Sequence, residues 1–307
     1  TAASPDGLQS FTQRSPTHTP KRARVHSRFL AWASMISIGM STSCVYPLPT
    51  ESAFRLARDA GFDGIEVMVT NDPVTQDAAA LLYLSKTYGL PILSIHAPVL
   101  LLTQLVWGTN PVRKLERSAE LAATLGASTV VVHPPFRWQA GYARRFEATI
   151  RELAGVHSVE FAVENMFPLT LGKVGVRAYS PSSDPVFIDC DAITLDFSHA
   201  ALGGRDSLEF AMAMGDRLRH VHLTDGTVSM RDGQLLDEHL VPGRGTQPVA
   251  EVVRNLASTG WSGSLVAEVN TAGAGSEDGR LAMLRETREF AASQIAAGRR
   301  GRRSGVS

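Results

Sequence analysis

The run Pro91-Ile-Leu-Ser-Ile-His96 ends a short apolar segment in a histidine, and the same pattern returns along the chain. Five further runs end in His, Asp or Glu: Thr129-Val-Val-Val-His133, Glu160-Phe-Ala-Val-Glu164, Ile193-Thr-Leu-Asp196, Leu218-Arg-His-Val-His222 and Leu265-Val-Ala-Glu268. Such β-branched and aliphatic runs are typical of strands buried on both faces. Gaps of 37, 31, 32, 26 and 46 residues separate the terminal residues, and one strand with its helix and loops takes about 30. The sequence therefore predicts an α/β fold, a (β/α)8 barrel with these residues at the carboxyl ends of its strands.

Length and composition suit one large α/β domain. The chain has 307 residues, of which 44% are hydrophobic and 20% charged, and no linker divides residues 41–297. We expect a basic, disordered N-terminal extension over 1–34, a barrel over 35–297 and a basic C-terminal tail over 298–307. Cys44 and Cys190 are too few for a disulfide scaffold, which favours a cytoplasmic protein.

Basic residues are concentrated at the two ends of the chain. The formal net charge is zero, but without nine basic residues of the ends and Asp6, segment 29–298 holds 21 basic and 29 acidic residues. This acidic body favours a small-molecule partner over nucleic acid, and the basic ends predict only weak, salt-sensitive binding to DNA. Residues 21–40 resemble an export signal, but the barrel needs 35–40 as its first strand. No apolar run reaches the roughly 18 residues of a membrane span.

The remaining pattern places helices and loops around the strands. Thr50 and Asn110 are predicted helix N-caps, and the last helix is predicted at 277–297. Two long loops, 165–185 and 224–247, are expected to be functional, as loops of this length commonly are. His220 lies two residues before His222, and we expect it to be out of reach of the barrel mouth.

Nine ionisable side chains converge if this barrel forms. Asp196 and His199 are three residues apart just after a strand, and Asp237 and His239 share one face of an extended segment. Taken singly, a strand-end histidine is more commonly a hydrogen-bonded core residue, and a strand-end acid is commonly a helix cap. Together, four carboxylates and five imidazoles would be costly to bury without cations. The predicted metal ligands are His96, His133, Glu164, Asp196, His199, His222, Asp237, His239 and Glu268.

The motifs around these residues resemble those of the xylose isomerase-like TIM barrels, which include sugar-phosphate isomerases and epimerases and AP endonuclease family 2. They are Ser-Ile-His96-Ala-Pro, Val-Val-His133-Pro, Ala-Val-Glu164-Asn, Leu-Asp196-Phe-Ser-His199-Ala, Val-His222-Leu-Thr-Asp, Asp237-Glu-His239-(x)3-Gly-Arg-Gly and Ala-Glu268-Val-Asn. All nine positions that hold three zinc ions in endonuclease IV are matched in residue type. The resemblance implies a first metal on His96, His133 and Glu164, a second on Glu164, Asp196, His222 and Glu268, and a third on His199, Asp237 and His239.

Two functions follow from the resemblance, and we favour a sugar or sugar-phosphate isomerase or epimerase. A divalent metal would stabilise an enediolate, Glu164 and Glu268 would move the proton, and His199 would hold a substrate oxygen. Arg244 is a candidate clamp for a phosphate, but loop residues are as commonly just solvated, so both interpretations stay open. This chemistry needs one or two metals.

The second function is a trinuclear zinc phosphoesterase of the AP endonuclease type. The three complete ligand sets favour this function. Two features argue against DNA as its substrate. The stretch 97–102 after His96 contains no aromatic residue, and loop 70–74 lacks the Arg or Lys that would enter a groove. A non-catalytic metal-binding barrel is a third reading. Zinc, up to three ions, is the expected cofactor, with manganese, magnesium or cobalt as alternatives. The oligomeric state is left open.

Overall fold

The computed structural model describes residues 36–98, 103, 105–171, 174–176, 178–231 and 234–304. The predicted N-terminal extension, 1–34, lies outside these residues, so its basic and disordered character stays a prediction. None of the helices in the described ranges combines the length and the apolar character that a bilayer crossing requires.

Eight parallel strands close into a barrel, as the sequence predicted. Around the barrel each strand pairs with its neighbour in chain order, and the last strand pairs with the first. The barrel strands are β1 (Ser37–Ser41), β2 (Gly64–Met68), β3 (Ile92–His96), β4 (Thr129–Val132), β5 (Glu160–Glu164), β8 (Ala192–Asp196), β9 (Leu218–Leu223) and β12 (Ser264–Ala267). Because all eight run in one direction, their carboxyl ends meet at one mouth.

Helices form the outer layer of the barrel. In the described residues they are α1 (Thr50–Ala60), α2 (Ala78–Tyr88), α3 (Pro111–Leu125), α4 (Ala140–Ala143), α5 (Phe146–His157), α6 (Phe197–Leu202), α7 (Ser207–Met214), α8 (Val249–Thr259) and α9 (Glu277–Ser304). Asn110 caps α3 as predicted, since its side chain accepts from the amides of Val112 and Arg113. The cap prediction for Thr50 was wrong: Pro49 precedes α1, and the Thr50 hydroxyl donates to Asp72 Oδ2 over 2.6 Å.

The last helix extends beyond the point where we expected the barrel to end. We predicted a basic tail from residue 298, but α9 continues to Ser304 and packs along α8. Gly298 explains the difference, because a Cβ there would lie 2.9 Å from Ala257 Cβ and even closer to the carbonyl oxygen of Arg254. Without a side chain, this glycine permits close approach of the two helices. Residues 305–307 lie outside the described part of the chain.

Each of the two predicted long loops contains a small antiparallel hairpin at the barrel mouth. β6 (Leu169–Leu171) pairs with β7 (Val174–Val176), and β10 (Met230–Arg231) pairs with β11 (Gln234–Leu235). Isolated bridges between Phe136 and Tyr179 and between Asp225 and Leu240 fix both loops further. The described residues of these loops therefore form walls around the strand ends.

Candidate metal centre

The strand ends bring the predicted ligands together. His96, Glu164 and Asp196 are the last residues of β3, β5 and β8, while His133 and Glu268 directly follow β4 and β12. The side chains of all five are buried, as is that of His222 near the end of β9. The parallel direction of the strands thus converts a pattern spread over 173 residues of sequence into one cluster.

The centre of the cluster is one nitrogen atom of His222. Its Nδ1 lies 3.0 Å from Glu164 Oε1, 2.9 Å from Glu268 Oε2 and 3.7 Å from Asp196 Oδ2. One nitrogen carries at most one proton, so it cannot satisfy three carboxylates. Asp196 Oδ2 is buried and has no hydrogen-bond partner among the described residues. The donor atoms of all four residues lie within 4.8 Å of one another, and a divalent cation fits this carboxylate-rich set.

Two histidines and a shared carboxylate form a second group. His96 Nε2 lies 3.3 Å and His133 Nε2 2.9 Å from Glu164 Oε2, so Glu164 contacts this group with one oxygen and His222 with the other. The two imidazole rings meet edge to face, with centroids 5.0 Å apart. Two imidazole nitrogens and a carboxylate oxygen are a ligand set that suits zinc.

A third group lies at the edge of the cluster, where the second long loop reaches the mouth. His199 Nε2 and His239 Nε2 lie 3.1 and 2.9 Å from Asp237 Oδ2. The opposite nitrogens face backbone carbonyls, His199 Nδ1 that of Asn165 at 2.9 Å and His239 Nδ1 that of Glu268 at 2.8 Å. A proton on each Nδ1 would leave both Nε2 lone pairs free for a cation. His239 has a φ of 45°, a strained conformation for a residue other than glycine.

The buried charges of the cluster shift the pKa values of its carboxylates and imidazoles. Burial by itself would raise the pKa of Glu164, but His222 and His133 hold it well below its ordinary value. Burial would lower the pKa of His239, yet Asp237 raises it to about 10. Burial also raises the pKa of Asp196 to about 6. Protonated imidazoles therefore balance the carboxylates here, and bound cations would perform the same task.

Sequence reasoning missed the groups that hold these ligands in place. Asn165 accepts from the amide of Asp196 at 2.7 Å and donates to its carbonyl at 3.0 Å. Ser43 Oγ donates to Glu268 Oε1 over 3.2 Å. Asn165 directly follows Glu164 in one of the quoted motifs, which was a usable signal. Ser43 had none, because it is separated from Glu268 by 225 residues.

Aromatic side chains flank the third group. The ring of Phe167 lies 5.0 Å from that of His199. Tyr179 stacks on Phe136, which stacks in turn on the half-exposed Trp138 with centroids 4.4 Å apart. Such a wall can pack against the apolar face of a ligand and limit the entry of water.

Arg244 is not brought into the cluster. Its guanidinium contacts Glu286 of α9 over 2.6 Å in an ion pair whose two side chains are about half exposed. An exposed pair of this kind contributes little to stability. The proposed phosphate clamp stays a prediction.

A family model described as the xylose isomerase-like TIM barrel matches residues 54–293. The chain belongs to this family. The closed barrel is thus that of a xylose isomerase-like protein, which confirms the fold and the family resemblance drawn from the motifs.

Relatives of this xylose isomerase-like barrel include bacterial proteins of different degrees of similarity. An uncharacterized protein of Mycobacterium tuberculosis strain H37Rv is 45% identical over 279 residues, covering 85% of this chain and 98% of its own. The fructoselysine 3-epimerase of Escherichia coli O157:H7 is 21% identical over 285 residues, covering 76% of this chain and 90% of its own.

Solved structures share the fold. A D-tagatose 3-epimerase-like protein superposes with a TM-score of 0.62 at 22% identity, over 89% of this chain and all of its own. The IOLI protein, solved with a bound zinc atom, superposes with a TM-score of 0.62 at 15% identity, over 85% of this chain and 99% of its own. These solved structures show that the barrel fold is shared.

Proposed function

We propose that the chain is a divalent-cation-dependent epimerase or isomerase of a sugar or sugar phosphate. One observation carries the proposal: two buried carboxylates, Glu164 and Glu268, reach the same nitrogen of His222 at 3.0 and 2.9 Å. Two carboxylates held beside one substrate are the pair that a proton transfer to and from carbon requires. The named fructoselysine 3-epimerase among the relatives supports this class of reaction.

Two observations support a fit of these residues to a divalent cation: Asp196 Oδ2 has no hydrogen-bond partner within the described part of the chain, and the donor set is rich in oxygen. Glu164, Asp196, His222 and Glu268 would hold it. When bound, the ion would supply Lewis-acid polarisation of adjacent carbonyl and hydroxyl oxygens of the sugar. Zinc is the expected ion, and manganese, magnesium or cobalt would serve the same role.

Proton transfer falls to the two glutamates. Burial would raise the pKa of each, but His222 lowers both, so both are ionised and ready to accept a proton. One carboxylate removes the proton from the carbon beside the carbonyl. In an isomerisation the same group, now protonated, returns that proton to the neighbouring carbon. In an epimerisation the partner carboxylate delivers to the opposite face a proton that it takes up from solvent, and the first carboxylate releases its own proton to solvent. Ser43, which donates to Glu268 Oε1, orients that carboxylate. His199 is the candidate to hold a substrate oxygen.

A trinuclear zinc phosphoesterase is the second candidate function, and the third group favours it. His199, Asp237 and His239 complete a set of ligands that a one- or two-metal isomerase does not need. A further cation there would stabilise negative charge on a phosphoryl group, as in multi-metal hydrolases. The acidic body of the chain favours a small phosphoester over DNA as that substrate.

The test is a substrate panel assayed with and without a metal chelator. Ketohexoses, aldohexoses and their phosphates would be followed by product chromatography, and a generic phosphodiester by release of its leaving group. The proposal expects a new epimer or isomer that requires the cation and is lost in Glu268→Gln. Glu160→Gln is the matched control, since Glu160 is exposed at the opposite end of β5. Phosphodiester cleavage without any sugar conversion would overturn the proposal in favour of the hydrolase.

A further inference from the structure

A second polar layer lies inside the barrel below the metal centre. Glu66 of β2, Ser94 of β3 and His220 of β9 are all completely buried, and Glu66 and Ser94 are register partners. Barrel interiors are ordinarily filled by Val, Ile and Leu, and an unpaired ionic group there would be costly. These side chains therefore need a reason to be present, and none of the proposed catalytic steps uses them.

The layer is connected to the metal centre through a single ring. Glu66 Oε2 accepts from Ser94 Oγ at 2.7 Å and lies 3.1 Å from His220 Nε2. Glu66 Oε1 lies at the ion-pair distance of 3.2 Å from His222 Nε2, and neither atom has a well-oriented hydrogen-bond partner among the described residues. The other nitrogen of the same ring, Nδ1, faces Glu164 and Glu268. His222 thus joins the two layers. We expected His220 to be out of reach of the mouth, and it lies in this inner layer. Glu66, which contacts both His220 and His222, links it to the metal centre.

The proton on His222 decides whether the ring can bind a cation. A neutral imidazole carries one N–H and one lone pair, and a carboxylate beside one nitrogen favours the N–H there. A cation held by Glu66, His220 and His222 together is the competing arrangement. With a cation also bound at Nδ1, it would require His222 to offer lone pairs from both nitrogens, which needs removal of both ring protons. A hydrogen bond from Nε2 to Glu66 is the less costly solution.

We propose that Glu66 is a positioning residue that keeps the His222 proton on Nε2 and so presents the Nδ1 lone pair to the cation set. Ser94 and His220 hold the Glu66 carboxylate in place for this task. The inference rests on the proposed cation site but does not depend on the identity of the sugar.

The test substitutes Glu66→Gln and measures zinc binding alone. The amide can donate to His222 Nε2, which favours the proton on Nδ1 and blocks coordination. Zinc affinity, measured by competition with a chromophoric chelator, is expected to fall about 10- to 100-fold, the usual effect of losing such a partner. In zinc-saturated, 15N-histidine-labelled protein, the downfield Nε2–H resonance of His222 is expected to be lost or shifted upfield. Glu160→Gln, with the same loss of charge on an exposed residue, should change neither.

Two results with Glu66→Gln would overturn the inference. Unchanged affinity with an unchanged Nε2–H resonance would show that Glu66 is structural only. Loss of one whole zinc equivalent at unchanged affinity of the remainder would show a cation bound by Glu66 and His220 themselves. If Glu66→Gln does not fold, Ser94→Ala decides, because it removes one donor to Glu66 and keeps the charge. A shifted His222 resonance with weaker zinc binding supports the proposal, and no change in either contradicts it. Tight zinc binding without sugar turnover would refute the proposed function and leave this inference standing.

Discussion

Cation binding to this protein should release protons, and their number follows from the cluster. Burial alone would lower the pKa values of His199, His222 and His239, but the carboxylates around them raise all three, that of His239 to about 10. At pH 7 these imidazoles are therefore protonated when no cation is bound. Coordination needs their lone pairs. Filling the ligand set that contains His222 and the group that contains His199 and His239 should therefore displace up to three protons.

The sign of the pH dependence is fixed by the same argument. Because the pKa of His239 is raised to about 10 and the pKa values of His199 and His222 are also raised well above their ordinary value, protons compete with the cation more strongly as pH falls. Apparent affinity should drop about tenfold per pH unit for each proton displaced by that cation. The dependence should flatten only above the raised pKa values. His133 should contribute no proton, since burial lowers its pKa.

The measurement is titration calorimetry of metal-free protein with Zn²⁺ at pH 7 in buffers of different ionisation enthalpy. The slope of observed heat against ionisation enthalpy counts the released protons, after correction for zinc binding to the buffer. The variant His239→Gln should release about one proton fewer, whereas Glu160→Gln should match the wild type. Zinc affinity that stays constant between about pH 6 and 9, or release of no protons, would refute the charge balance described for the cluster.

Three further predictions concern the third ligand group, the barrel interior and the chain ends. His239→Ala should remove at most one cation and reduce sugar turnover far less than Glu268→Gln, because the isomerase chemistry does not need that ion; complete loss of activity in a metal-counted assay would sink this expectation. Gly64→Ala should lower the free energy of unfolding by about 1–3 kcal/mol in denaturant titrations, since its Cβ would meet Leu93 Cγ and the Pro91 oxygen at 2.7 Å; an unchanged midpoint would contradict it. Trimming the chain to 29–298 removes both basic ends and should abolish weak DNA binding in a salt titration, and binding that survives would place it on the barrel.

Much of the fold was predictable because the strand pattern is regular. Each barrel strand is an apolar run of four to six residues, and six of the eight end at or beside an ionisable residue. Periodicity therefore located the strands to within a residue or two, and the parallel barrel followed from their spacing. The family match then confirmed both.

The errors arose where a local signal had a tertiary cause. The last helix was predicted to end at residue 297, but α9 continues to Ser304, and Gly298 serves its contact with α8. Thr50 has a capping side chain by type, yet its hydroxyl reaches Asp72, 22 residues away in sequence. Neither contact is visible in a window of neighbouring residues.

The candidate site shows the same division. The nine proposed ligands were visible because each sits at or near a strand end or in a short motif. Glu66 and Ser94 were not, because they occupy strand interiors where a polar residue reads as an exception to the pattern. Their proposed role depends on the contact between the two side chains and on the contact of Glu66 with the ring of His222. Only the three-dimensional arrangement shows these contacts.

Solvent deuterium incorporation is the most direct test of the central claim. The cation-loaded protein would be incubated in D2O with the sugar or sugar phosphate found by the panel, and the product examined by NMR and mass spectrometry. Proton transfer by Glu164 and Glu268 predicts cation-dependent epimerisation or isomerisation with deuterium entering the carbon beside the carbonyl. It also predicts loss of both signals in Glu268→Gln and their retention in Glu160→Gln. A cation-loaded protein that cleaves a phosphodiester and leaves every sugar carbon unlabelled would contradict the account.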